Sequence, residues 1–151
     1  MKTRILIGDD HDVFRITLKH FINDNKDMAV TAEAKTWDDT YSLAFNRNFD
    51  LILLDIDLLA SNGFGVLHDL KRGKPHLPVI VYGLLPEKIL GLPTILAGAS
   101  GYIEKDYVPK HLINTVRQAL NNKNCSVALF KWIIFSHLFA LSRAHQKPLV
   151  L

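Results

Sequence analysis

Asp9 and Asp10 follow a short apolar run, Asp55 ends a second, and Glu104 with Lys105 closes a third. Carboxylates gathered in one place are electrostatically costly unless a cation neutralises them, and a hard divalent ion with oxygen ligands is the usual partner. Mg²⁺ suits an open site of this kind, because it keeps several waters and needs only one or two carboxylates besides a phosphate oxygen. Lys105 would then pair with an anionic group on the metal. In that setting a carboxylate such as Asp55 can attack a phosphoryl group and become an aspartyl phosphate, while metal and ammonium neutralise the transferring oxygens. Taken singly, the same residues have ordinary roles: Asp9-Asp10 as a helix cap and dipole partner, Asp55 as a turn residue, Lys105 as a solvated lysine.

The elements that carry these residues argue for the joint reading. Ile5-Leu6-Ile7, Met28-Ala29-Val30, Leu51-Ile52-Leu53-Leu54, Val79-Ile80-Val81-Tyr82 and Gly101-Tyr102-Ile103 are too short for helices, and several are rich in β-branched residues. Between them, Val13, Phe14, Leu18, Phe21 and Ile22 recur at helical spacing, as do Leu112, Ile113, Val116, Ala119 and Leu120. Thr36-Trp37-Asp38-Asp39 has the form of a capping box, and Pro109 suits a first helical turn. Strand and helix in alternation predict a parallel sheet covered by helices on both faces, an α/β doubly wound fold. Ligands in such sheets bind at the carboxyl ends of the strands. Asp9, Asp10, Asp55, Gly83, Glu104 and Lys105 all fall there.

Composition narrows the alternatives. A chain of 151 residues with 48% hydrophobic and 22% charged residues can build one ordinary core. A single cysteine, Cys125, excludes an internal disulfide or a cysteine-based zinc cluster. The seven histidines show no His-x-x-x-His spacing and read as surface or core residues. Gly63-Phe64-Gly65 lacks the third glycine of a dinucleotide fingerprint and the Gly-Lys-Ser/Thr ending of a phosphate loop. A flavodoxin-like flavin carrier would need a Ser/Thr/Gly-rich loop where Asp9 and Asp10 stand. No apolar signal segment opens the chain, so a cytoplasmic setting is expected.

Asp9-Asp10, the run Leu51 to Asp55 with Gly63 beyond it, and Gly98-Ala99-Ser100-Gly101-Tyr102-Ile103-Glu104-Lys105-Asp106 together resemble the receiver domain of two-component response regulators. Ile7-Gly8-Asp9-Asp10-His11-Asp12 looks most like the NarL/FixJ branch, whose members are mostly transcription factors. The resemblance implies a five-stranded sheet of order 2-1-3-4-5 over residues 1–120. It implies Asp55 as phosphoacceptor, Asp10 as a direct Mg²⁺ ligand, Asp9 acting through a metal-bound water, and Asp57 offering its backbone carbonyl. Lys105 would contact the phosphoryl group, and Tyr102 falls on an aromatic position that changes rotamer on activation. The donor would be a sensor histidine kinase. The domain would assist its own phosphorylation without being a conventional enzyme.

Several residues depart from the receiver pattern. Gly83 stands where Thr or Ser would offer a hydroxyl to the phosphoryl group, and Leu84 replaces a small neighbour. Leu59 replaces a proline that stiffens the loop after the phosphoacceptor, and Gly91-Leu92-Pro93 should kink or break a helix. A degenerate receiver acting as a phosphorylation-independent interaction or dimerisation module is the alternative. Residues 121–151 form a linker with an apolar stretch, Val127 to Leu141, which includes Leu129, Phe130, Ile133 and Ile134. It is short of the ~20 residues a membrane span needs, and Lys131 and His137 interrupt it. An extra C-terminal helix serving a homodimer is expected, because so wide an apolar surface seeks cover. No helix-turn-helix reads from these residues, so DNA contact is expected only through an output domain not in this chain. Residues 1–120 hold 14 Lys and Arg against 15 Asp and Glu, while residues 121–151 hold four against none. The basic balance thus belongs to the tail.

Overall fold

The alternation of β-branched runs with helical stripes resolves, in a computed structural model that describes residues 1–122, into five strands and six helices. The strands are β1 (Thr3–Gly8), β2 (Met28–Ala34), β3 (Leu51–Asp55), β4 (Val79–Gly83) and β5 (Gly101–Glu104). They form one sheet of order β2-β1-β3-β4-β5, and every neighbouring pair is parallel. The helices are α1 (Asp12–Asn23), α2 (Trp37–Asn46), α3 (Ile56–Asn62), α4 (Gly65–Gly73), α5 (Glu87–Leu96) and α6 (Val108–Asn121), with a 3₁₀ turn over Lys105–Tyr107. The doubly wound class and strand order expected from the sequence are those observed. Leu129, Phe130, Ile133 and Ile134, with the tail helix and dimer assigned to them, lie outside the described residues.

Period-two alternation along the central strands divides the core. Leu51 and Leu53 of β3 pack with Ile5, Ile7, Leu18, Ile22, Leu112 and Val116, so α1 and α6 cover one face. Ile52 and Leu54 pack with Leu6, Trp37, Ala44, Leu67 and Leu70, so the other helices cover the opposite face. Burial on both faces is why β3 and β4 read as unbroken apolar runs. Thr36 caps α2 by accepting the Asp39 N–H at 3.1 Å, and Pro109 sits in the first turn of α6, as expected.

Three local expectations need correction. Val13, counted in the α1 stripe, is 79% exposed, whereas Leu18 and Ile22 are fully buried. The apolar arc of α1 is wider than the strip that meets the sheet, and Arg15 takes a buried place instead. Residues 56–62, read as a loop, form α3, in whose first turn the Asp57 N–H donates to the carboxylate of Asp55 at the N-cap. Leu59 is fully buried inside that helix. Finally, α5 continues through Pro93. The proline removes one amide donor, and the next residue, buried Thr94, donates its hydroxyl to the carbonyls of Leu90 (2.9 Å) and Gly91 (2.8 Å).

Candidate functional site

Because β1 and β3 are neighbouring parallel strands, Asp9 and Asp55 emerge side by side at their carboxyl ends, both with no solvent exposure. Asp10 follows on the rim, its side chain 56% exposed. Lys105, directly after β5, reaches across to place Nζ 3.0 Å from Asp55 Oδ2. Its ammonium also lies 4.8 Å from the Phe14 ring centroid and 5.7 Å from that of Tyr82, so aromatic faces hold the cation as well as the carboxylate. The other oxygen of Asp55, Oδ1, accepts the Asp57 N–H at 3.0 Å. Asp9, Asp10, Asp55 and Lys105 are therefore brought together as expected.

Asp57, expected to offer its backbone carbonyl, stands in α3 two residues after Asp55. Its carbonyl belongs to the first turn of α3 and accepts the Ser61 hydroxyl at 3.2 Å. Seven residues are too few for a helical period to show in sequence, so the turn that engages this carbonyl was not legible.

Two residues join the site that sequence reasoning passed over. The ring of His11 enters the acid pocket, with Nδ1 2.9 Å from Asp9 Oδ1, 3.0 Å from Asp10 Oδ1 and 3.1 Å from Asp55 Oδ2. Tyr82, taken only as the end of an apolar run, is buried and donates its hydroxyl to Asp9 Oδ2 at 2.7 Å. A buried tyrosine hydroxyl needs a partner, and that was the available signal for Tyr82. Arg15 completes the frame by donating from Nη1 to the Asp9 backbone carbonyl at 2.8 Å.

Electrostatics follow from this crowding. Burial pushes the Asp55 pKa up and the Asp9 charge adds to that, while the Asp57 N–H and Lys105 oppose it. The hydrogen bond to Asp9 raises the His11 pKa against the cost of desolvation, helped by the charge of Asp10 and a hydrogen bond to Asp55. Burial beside Asp9 puts the Tyr82 hydroxyl well above its ordinary value, so it stays a donor. One ligand atom from each of Asp9, Asp10, His11 and Asp55 lies within 4.8 Å of every other. Atoms so placed could together hold a metal ion.

Gly83, Leu84 and Tyr102, the expected switch positions, lie on or just after β4 and β5. Gly83 ends β4, and a Cβ placed on it would stand 2.5 Å from Ile56 Cγ2 and 2.8 Å from the Tyr102 hydroxyl. Tyr102 is 7% exposed and donates to the Leu85 carbonyl at 2.7 Å. Burial and the nearby carboxylates, Glu104 foremost, push its pKa up to about 12. Leu84 points outward, 74% exposed. Among the described residues, no helix is long and apolar enough to cross a membrane.

Comparison with known proteins gives the same frame. The family model of the response regulator receiver domain matches residues 5–117. The chain is 30% identical over 147 residues to an uncharacterized transcriptional regulatory protein, YxjL, of Bacillus subtilis, covering 97% of this chain and 66% of that one. It is 30% identical over 115 residues to the nitrate/nitrite response regulator protein NarL of Escherichia coli, covering 76% of this chain and 53% of the relative. The chain thus spans between about half and two thirds of the length of these relatives. Among solved structures, the response regulator domain of Thermotoga maritima CheB is similar with TM-score 0.70 and 28% identity, over 80% of this chain and 98% of that one. A LuxR-family two-component response regulator from an Aurantimonas species shares the fold with TM-score 0.74 at 21% identity, over 89% of this chain and 99% of its own.

Proposed function

Because the chain belongs to the response regulator receiver family, we propose that it accepts a phosphoryl group on Asp55 from a phosphohistidine of a partner sensor kinase, with Mg²⁺ held in the acid pocket. The observation that carries this reading is a fully buried carboxylate whose Oδ2 faces the Lys105 ammonium at 3.0 Å. The Asp57 N–H fixes Oδ1, so the carboxylate is oriented before the donor arrives. In the transfer an Asp55 oxygen forms the new bond to phosphorus, the bond from phosphorus to the donor's ring nitrogen breaks, and the imidazole keeps that electron pair. Lys105 neutralises charge that builds on the transferring oxygens. Tyr82 and Arg15 hold Asp9 in place from behind. Asp9, Asp10 and Asp55 would hold the cation, which supplies charge neutralisation at the phosphoryl oxygens when bound.

The domain is read as a phosphoacceptor in the cytoplasm, not as a conventional enzyme. Residues 121–151 are assigned to a linker and homodimer contact, and transcriptional control to a DNA-binding output domain outside these residues. The test is incubation with Mg²⁺ and a small phosphodonor, followed by intact mass measurement of wild type and Asp55→Ala. A gain of about 80 Da, the mass of an added phosphoryl group, is expected in wild type and absent in the variant. No Asp55-dependent gain would refute this function.

That negative result would favour a phosphorylation-independent interaction module. The observation favouring this second reading is Gly83, which offers no hydroxyl to a phosphoryl group, next to a Tyr102 already buried and bonded to Leu85.

A further inference from the structure

The two edges of the sheet differ in charge. Acids collect at the carboxyl edge, whereas the segment that leads from α4 toward β4 at the amino edge reads Lys71-Arg72-Gly73-Lys74-Pro75-His76. Beside it, between the C-terminal ends of α2 and α4, lies a cavity of about 330 Å³ whose lining includes Ala44, Asn48, Phe49, Lys74, His76 and Leu77. Ala44 and Leu77 are buried and supply apolar surface, and Phe49 supplies an aromatic wall. Gly73 lets the two helix ends meet, since a Cβ there would stand 2.5 Å from Phe45 Cζ. The Lys74 ammonium lies 5.8 Å from the centroid of that Phe45 ring, and the Arg47 guanidinium lies 5.4 Å from that of Phe49. Among the described residues, none of Arg47, Lys74 and His76 pairs with a carboxylate. Lys71 and Arg72 stand in the last turn of α4 and answer its dipole, a role that leaves Lys74 and His76 unexplained. Asp50 also lines the cavity, but Arg4 holds its carboxylate: Oδ2 accepts the Arg4 backbone N–H at 2.8 Å and Nε–H at 3.2 Å, and Oδ1 accepts from Nη2 at 3.3 Å. The cavity is left with uncompensated positive charge.

Its size stands near the lower end of the roughly 300 to 1,000 Å³ that small-ligand sites span, enough for one base with its sugar. Aromatic and apolar walls take the flat face of a ring, and the Asn48 amide offers donor and acceptor together to the edge of a heterocycle. Several unpaired cations call for more than one negative charge. An aliphatic carboxylate would satisfy one cation and leave the others, and a bare polyphosphate would leave the walls unfilled. From this arrangement we propose that the amino edge of the sheet binds a nucleoside diphosphate, with the base against Phe49 and the phosphates on Lys74 and His76, while Arg47 strengthens the field. The site stands at the opposite end of the strands from Asp55 and is independent of the phosphoacceptor reading.

The experiment is calorimetric titration of the full 151-residue chain with ADP, and with inorganic pyrophosphate and adenosine as the two halves of that probe. EDTA in the buffer keeps divalent ions, and ADP bound through them, out of the acid pocket. Backbone amide NMR along the ADP titration maps the site. ADP is expected to bind with a Kd below about 100 μM, at least about tenfold more tightly than either half, and to shift the amides around Asn48, Phe49, Lys74 and His76. Lys74→Gln should weaken ADP about tenfold. Asn48→Trp, a change at an exposed position, should fill the cavity and weaken ADP at least as much. Both variants should keep the wild-type urea midpoint, and Asp55→Asn should bind ADP as wild type does. Pyrophosphate binding as tightly as ADP, unchanged ADP affinity in both Lys74→Gln and Asn48→Trp, or no saturable amide shift up to about 1 mM ADP would each overturn the proposal. Tighter binding of a single-stranded oligodeoxyadenylate of about ten residues at the same amides would overturn it too, because the edge would then be a nucleic-acid surface.

Discussion

Replacing Gly83 with threonine would restore the hydroxyl that receivers carry at the end of the fourth strand, but the structure leaves no room for it. The new Cβ would meet Ile56 Cγ2 at 2.5 Å, Ile56 Cβ at 3.3 Å and the Tyr102 hydroxyl at 2.8 Å. Ile56 is β-branched and held in the first turn of α3, so its side chain yields poorly. Tyr102 yields more readily, because its hydroxyl sits at the end of a ring with two rotatable torsions. Moving it gives up the 2.7 Å bond to the Leu85 carbonyl, a loss of about 1 kcal/mol. Swinging the ring half out would expose roughly 100 Å² of apolar surface, or about 2.5 kcal/mol. Water recovers part of the hydrogen bond, so the expected cost is about 3 kcal/mol. For urea unfolding followed by far-UV circular dichroism, a slope of about 2 kcal/mol/M turns this into a midpoint lowered by roughly 1.5 M. The Tyr102 ring resonances, assigned with Tyr102→Phe, should move to solvent-exposed positions. In a double-mutant cycle of Gly83→Ala with Tyr102→Phe, relief of the hydroxyl contact should appear as a coupling of about 1 kcal/mol. A Gly83→Thr protein with an unshifted midpoint and unmoved Tyr102 resonances would refute the claim that Tyr102 occupies the space the missing side chain leaves.

Asp55→Asn should raise the urea midpoint in metal-free buffer, because burial and the Asp9 charge disfavour the Asp55 carboxylate more than Lys105 supports it; a lowered midpoint would show that the ion pair dominates. Arg117 holds the Asp27 pKa below its ordinary value of 3.8, so that pair stabilises the fold above this value and the gain is lost as pH falls through the lower folded pKa. In Arg117→Ala the NMR titration of Asp27 should move up toward 3.8, and an unmoved titration would exclude the pairing. Within α1, Leu18→Ala should cost about 2 to 5 kcal/mol and Val13→Ala less than about 0.5 kcal/mol, since the first is fully buried and the second 79% exposed; equal costs in thermal unfolding would contradict the observed face of the helix.

What the sequence showed of the site and what it hid have one physical origin. Residues at the ends of parallel strands must share an edge, so Asp9, Asp55 and Lys105 converge whatever the side-chain details, and strand order only sets which of them touch. Side-chain direction is a different matter. Tyr82 lies opposite Asp55 in the register of β3 with β4, and only that pairing turns an apolar-looking residue into the donor that holds Asp9. His11 was visible beside Asp9-Asp10, but a lone histidine next to acids reads equally as a solvated cap until the ring is seen to turn inward. The same limit explains Pro93, where the rule about a lost donor holds for the one amide, while buried Thr94 and the packing of α5 on β5 keep the helix in place. It also explains α3. That helix starts on Asp55, so the carboxylate that closes a strand also caps a helix, and the two roles need not compete: Oδ1 serves the cap at Asp57 while Oδ2 faces Lys105. The ordinary reading of Asp55 as a turn residue is thus compatible with its ion pair to Lys105, the two being divided between its two oxygens, and capping the helix is what orients the carboxylate toward the lysine.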